Sequence, residues 1–128
     1  MSTSNPITAT LIPGDGIGPE TVDSTMRILD ALGSPFQWDV QQAGMAGVDI
    51  LGDPLPEQTL ASIRKHRLAL KGPLTTPVGG GFRSSNVRLR EEFELYANVR
   101  PAKTLIPGRF ENIDIVLVRE NLSGFYVA

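Results

Sequence analysis

Apolar positions along this chain come in two rhythms. Short continuous runs at Ile7–Ile12, Phe36–Gln42, Leu68–Leu70 and Ile113–Val118 are bounded by Gly, Pro or polar clusters. Such runs predict buried strands. Between them apolar residues recur every three or four positions. Val22, Met26, Leu29 and Ala31/Leu32 predict a helix from Glu20 to Leu32, with Pro19 suited to its first turn and Gly33 to its end. Pro54-Leu55-Pro56-Glu57 opens a second helix, carrying Leu60, Ile63 and Leu68 on one face and Arg64, Lys65 and Arg67 near its C-terminal end, where cations suit the helix dipole. Gly44 to Gly52 is weakly patterned and reads as a short helix or a loop. A third helix is expected from Ser84 or Ser85 through Arg90 towards Phe93, followed by a short extended run, Tyr96–Val99. Pro101 to Phe110 reads as a polar connection, and Phe125–Ala128 as the start of another extended segment. Strands alternating with helices predict an α/β architecture. The pattern is still open where the last strand begins, which predicts part of a larger fold.

Composition narrows the function classes. With 128 residues, one real core can be buried. A net charge of −2 leaves no basic footprint for nucleic acid or for an anionic membrane, so an anion site must be local. The chain has no cysteine, which excludes disulfides, thiolate zinc sites and Cys nucleophiles and fits a reducing cytoplasm. No apolar run approaches the roughly 20 residues that span a bilayer, and the N-terminal residues have neither signal-peptide nor transit-peptide character. A cytoplasmic protein acting without nucleic acid or membrane partners is the expectation.

Candidate chemistry concentrates between Lys71 and Arg100. Gly14, Gly16 and Gly18 form G-x-G-x-G after a strand, whereas the dinucleotide fingerprint requires G-x-G-x-x-G and an acidic residue at the end of the next strand. These glycines therefore read as a tight strand-to-helix turn. Thr75-Thr76-Pro77 lead into Gly79-Gly80-Gly81, where backbone N–H groups suit an anion or a cofactor amide, though a Gly triplet also serves as plain loop. Ser84, Ser85 and Asn86 follow, the serines equally suited to capping a helix. Arg83 and Arg90 are two helical turns apart, and Arg100 and Arg119 each stand at the exit of an extended run. Arginines at strand exits are candidates for bidentate carboxylate binding, against the simpler reading of surface ion pairs. Tyr126 is a possible acid at a strand edge or a packing residue. His66, in a basic stretch, reads as a solvated helix-end residue.

The stretch KGPLTTPVGGGFRSSNVRLREEFELYANVRP resembles the substrate and nicotinamide-side segment of the isocitrate dehydrogenases, within the isocitrate/isopropylmalate family of metal-dependent decarboxylating dehydrogenases. IPGDGIGPE is similar to that family's first loop, and VRENLSGFY to its Arg-Glu-Asn segment leading to a tyrosine. The resemblance implies an isocitrate/isopropylmalate dehydrogenase-like fold that is not Rossmann, present as its N-terminal portion. Residues 1–97 would belong to the large α/β domain and 98–128 would start the smaller central, dimer-interface domain. It implies that Ser84 and Asn86 contact isocitrate and that Arg90, Arg100 and Arg119 bind its carboxylates. Tyr126 would reprotonate the enol after carbon dioxide leaves. Thr75 and Thr76 would lie beside the nicotinamide, with Ile17 and Lys71 bordering the same cleft.

The resemblance further implies NAD, with NADP possible, and Mg²⁺ or Mn²⁺. The metal-binding aspartates, the adenine site and a lysine from a second identical subunit would lie outside this chain, leaving it inactive alone. Leu122-Ser123-Gly124 depart from the family's usual Thr-Glu-Asp/Gly without moving Tyr126. A homoisocitrate or 3-isopropylmalate dehydrogenase is the nearest alternative. It matches YANVRPAK and VREN, but lacks FRSSNVRLR. A non-catalytic regulatory subunit binding citrate or isocitrate is the alternative of another class, and Tyr126 counts against it.

Overall fold

The computed structural model describes residues 5–75 and 83–123. Residues 76–82 and 124–128, which include the candidates Thr76 and Tyr126, lie outside the described residues. The chain divides into two compact units, Met1–Ser85 and Asn86–Ala128. Among the described residues no helix is long and apolar enough to cross a membrane.

In the first unit the elements run β1 (Ile7–Ile12), α1 (Gly18–Ala31), β2 (Phe36–Val40), α2 (Met45–Leu51), α3 (Glu57–His66) and β3 (Ala69–Lys71). The strands form a parallel sheet of order β2-β1-β3. Ile7 pairs with Phe36 and Leu11 with Val40 on one side of β1; Thr10 pairs with Ala69 and Ile12 with Lys71 on the other. The central strand is the most buried, with Ala9, Leu11 and Ile12 at the core beside Val22, Ala43, Leu55 and Leu60. Pro19 lies in the first turn of α1. The helix ends as expected at Gly33: Ser34 N–H donates to Leu29 O (3.0 Å) and Gly33 N–H to Asp30 O (2.9 Å), which satisfies the last carbonyls in a Schellman arrangement. The ambiguous Gly44–Gly52 stretch resolves as the short helix α2, closed by Gly52 in a left-handed conformation.

α3 packs on β1 through a face that is polar as well as apolar. Thr59, Ser62 and His66 recur at helical spacing and each bonds to the sheet side of the unit. Thr59 Oγ1 donates to Gln42 O (2.7 Å). Ser62 Oγ donates to Asp39 Oδ2 (2.7 Å), and since a hydroxyl has one hydrogen, Thr10 Oγ1 donates in turn to Ser62 Oγ (2.7 Å). His66 Nε2 lies 3.2 Å from the same Asp39 oxygen, with its side chain only 9% exposed. The solvated helix-end reading of His66 is therefore wrong: two turns of α3 carry the ring back over β2. No buried side-chain nitrogen or oxygen among the described residues lacks a hydrogen-bond partner.

In the second unit, α4 (Ser85–Glu92, its first residue still in the first unit) is followed by β4 (Ala97–Lys103) and β5 (Asp114–Glu120). The strands form an antiparallel ribbon. Pro101–Lys103, expected in a connection, belong to β4 and pair with Val116–Asp114. An edge strand tolerates Pro101 because its missing N–H leaves no ladder bond broken on the solvent side. The arginine-at-strand-exit argument fails here. Arg100 is mid-strand, and the ribbon is not a parallel sheet whose carboxyl ends share a crevice.

Candidate active site

In the 2-1-3 order β1 leads on to β2 on one side while β3 lies on the other, and this divergence between β1 and β3 is the kind of point at which parallel α/β sheets carry ligands beyond the carboxyl ends of their strands. Three of the predicted residues sit at this point. Lys71 is the last residue of β3, opposite Ile12, and its Nζ donates to Gly72 O (2.7 Å). Ile17 caps α1 and is 70% exposed, a large apolar side chain left in solvent at the end of the loop that follows β1. Thr75 is exposed in the loop after β3, and its N–H donates to a carboxylate oxygen of Asp15 (2.7 Å).

The two loops meet backbone to backbone. Gly72 N–H donates to Ile12 O (2.8 Å) and Asp15 N–H to Pro73 O (2.8 Å). A Cβ on Gly72 would lie 2.1 Å from Pro13 O, and one on Gly14 would lie 2.1 Å from Pro73 O. Gly14 and Gly72 thus allow the close approach of two segments about 60 residues apart in the chain, while Gly16 has φ +58° and open space where a Cβ would stand.

Of the two serines, Ser85 is the structural one. It is fully buried as the first residue of α4, and its Oγ reaches Pro54 O at 3.3 Å. Ser84 immediately precedes the helix and is half-buried. Because α4 starts at Ser85, Arg83 lies outside it and the two-turn pairing of Arg83 with Arg90 does not form. Asn86 and Arg90, four apart, share a face of α4 instead.

On the ribbon, Asn98 pairs with Arg119 and Arg100 with Leu117, which puts Asn98, Arg100 and Arg119 on one face. Arg100 Nε donates to Asn98 Oδ1 (3.1 Å), so the asparagine orients this guanidinium. At the end of β5, Glu120 Oε1 accepts N–H bonds from Leu122 (2.7 Å) and Ser123 (2.8 Å), which hold its carboxyl below the ordinary carboxylate range. Glu120 thereby fixes the turn that leads towards residues 124–128.

Two arrangements were not legible beforehand. Asp15 and Asp39 each collect donors from segments distant in sequence, and no local spacing marks either. The described residues contain no group of three or more His, Cys, Asp or Glu able to hold a metal ion. They do not by themselves fit a catalytic divalent cation.

The family model for isocitrate/isopropylmalate dehydrogenase matches residues 8–128. The chain is 43% identical to the mitochondrial isocitrate dehydrogenase [NAD] catalytic subunit 5 of Arabidopsis thaliana, over 98% of this chain and 34% of that protein. It is 49% identical to the isocitrate dehydrogenase [NADP] of Thermus thermophilus, over 91% of this chain and 25% of that protein. The crystal structure of isocitrate dehydrogenase from Methylococcus capsulatus superposes with a TM-score of 0.82 at 55% identity, covering 93% of this chain and 36% of that one. The chain thus spans between a quarter and about a third of the length of these relatives.

Proposed function

This chain belongs to the isocitrate/isopropylmalate dehydrogenase family, and we propose that in the whole protein it supplies the acid-binding helix and the nicotinamide-side loops of an enzyme that oxidatively decarboxylates isocitrate to 2-oxoglutarate with reduction of NAD. The observation that carries this reading is the Ser84-x-Asn86-x-x-x-Arg90 segment. Its last two members lie on one face of α4 and its serine stands at the helix start, while the neighbouring Ser85 is consumed in packing. A hydroxyl, an amide and a guanidinium together suit a hydroxylated polycarboxylate better than they suit an acid with an alkyl side chain.

Arg90, Arg100 and Arg119 bind the carboxylates in this reading. Paired guanidinium–carboxylate bonds fix orientation as well as position, and that alignment is what a two-step reaction on one bound acid needs. Tyr126 delivers the proton to the carbon left by carbon dioxide. Thr75, Thr76, Ile17 and Lys71 border the nicotinamide. A divalent Mg²⁺ or Mn²⁺ would polarise the hydroxyl being oxidised; its ligands, with a lysine, come from the remainder of the protein and from a second identical subunit. NAD is preferred over NADP because KGPLTTPVGGGFRSSN followed by LYANVRPAK looks most like the NAD-using branch.

The test is steady-state kinetics of the complete protein on isocitrate, homoisocitrate and 3-isopropylmalate, each with NAD and with NADP. kcat/KM should be highest for isocitrate with NAD. A clear preference for either other acid overturns the substrate assignment, and a preference for NADP overturns the cofactor assignment alone.

A further inference from the structure

The Asp15 carboxylate is the junction of three segments. Oδ2 accepts N–H bonds from Met45 (3.0 Å) and Thr75 (2.7 Å), and Oδ1 accepts one from Ala46 (3.1 Å). Its backbone is committed as well, with its N–H bonded to Pro73 O and its C=O accepting from Gly18 N–H, each at 2.8 Å. The seat has been cleared of side chain on the opposite side. Gly44 has φ +72°, and a Cβ there would fall 1.9 Å from Asp15 Oδ2. One half-buried side chain therefore ties the β1–α1 loop to the start of α2 and to the loop after β3.

We infer that Asp15 is a positioning residue for the nicotinamide cofactor, holding the loop that carries Thr75 against the loop that carries Ile17 at the β1/β3 divergence. This rests on the reading above, in which Ile17 and Thr75 border the cofactor. Asp15 bonds the Thr75 N–H itself and lies two residues from Ile17, so its loss moves both walls of that cleft. A carboxylate suits the task because it accepts on both oxygens and its charge strengthens every N–H bond it receives. An asparagine keeps one acceptor oxygen and turns an NH₂ group towards a backbone N–H, which breaks the bonds to either Oδ1 or Oδ2.

The experiment compares wild-type, Asp15→Asn and Asp15→Glu in the complete protein. Binding of NAD and of NADP without acid is measured by calorimetry, and KM for dinucleotide and for acid by steady-state assay. Asp15→Asn should raise the dinucleotide Kd and KM by about tenfold or more, while the KM of the acid moves less than twofold. Asp15→Glu, which keeps both acceptor oxygens, should recover part of the loss. A purely structural role would lower the melting temperature and the folded fraction, yet leave the Kd of the folded fraction unchanged. A dinucleotide Kd within twofold of wild-type in Asp15→Asn overturns the inference. Should that variant fail to fold, Asp15→Ser takes its place under the same thresholds. A wild-type protein that binds dinucleotide but prefers another acid overturns the substrate reading and leaves this inference to the Kd values. One that binds neither dinucleotide overturns both.

Discussion

Asp39 shows how much a single carboxylate can organise within the fold. Ser62, then Gln41, donate to it, with His66 beside the same oxygen, and together they hold its carboxyl below its ordinary value of 3.8. A lowered folded-state value means that the carboxylate stabilises the fold fully above about pH 4, and that this contribution drains away as pH falls through the lowered value. Asp39→Asn in the complete protein should therefore melt below wild-type at pH 7, and the gap should narrow as the pH falls below about 4. Thermal melts across that range check it, and a gap independent of pH would refute the assignment. Tyr126 makes the sharpest residue-level prediction for chemistry. Removing a positioned acid costs on the order of 10²–10⁴ in rate, so Tyr126→Phe should lower kcat within that range with KM for the acid little changed. An unchanged kcat would favour a binding-only subunit. At this scale the sequence offers Ser84, Asn86 and Arg90 as candidates because their pattern is local. It misjudged His66, because the partner that removes the ring from solvent is 27 residues away.

Elements were legible where their signals are local. Pro19 at the start of α1, the Gly33 ending and the apolar run of β1 needed no tertiary information. The sequence predicts an extended run only over Tyr96–Val99; the pairing with β5 is what carries β4 through Pro101 to Lys103. Two glycines at element ends separate conformation from contact. Gly52 at the end of α2 has φ +75° with nothing within 4 Å of where a Cβ would stand, so Gly52→Ala should cost only the left-handed strain of about 1–2 kcal/mol. A Cβ on Gly72 would stand 2.1 Å from Pro13 O, and backbone cannot yield as a side-chain tip can. Gly72→Ala should cost at least as much, typically about 1–3 kcal/mol, and should also weaken dinucleotide binding, which Gly52→Ala should not. Denaturant unfolding and dinucleotide calorimetry on both variants decide this.

At the scale of the whole molecule, the ribbon of the second unit leaves Val99, Val116 and Val118 between 59% and 64% exposed on one face, with Arg100 and Arg119 on the other. A two-stranded ribbon is marginal by itself, so its arginines need further protein to hold them in place. With no metal-binding group among the described residues, the 128-residue chain alone should reduce neither NAD nor NADP with isocitrate and Mg²⁺. Absorbance at 340 nm under conditions where the complete protein turns over checks this, and turnover by the short chain would refute it.

The sequence by itself determined the α/β alternation, the start and end of α1, the rejection of the dinucleotide fingerprint and the family, because these depend on residue type and short spacing; it carried α3 on to Leu68, whereas the helix ends at His66 with Arg67 left-handed. Tertiary structure alone decided that β1 is central, that the divergence lies between β1 and β3, that Arg100 and Arg119 share a face, and that Asp15 joins loops 30 and 60 residues distant. Those facts depend on strand order and register, which bring distant backbone N–H groups to one carboxylate and leave no periodic trace along the chain.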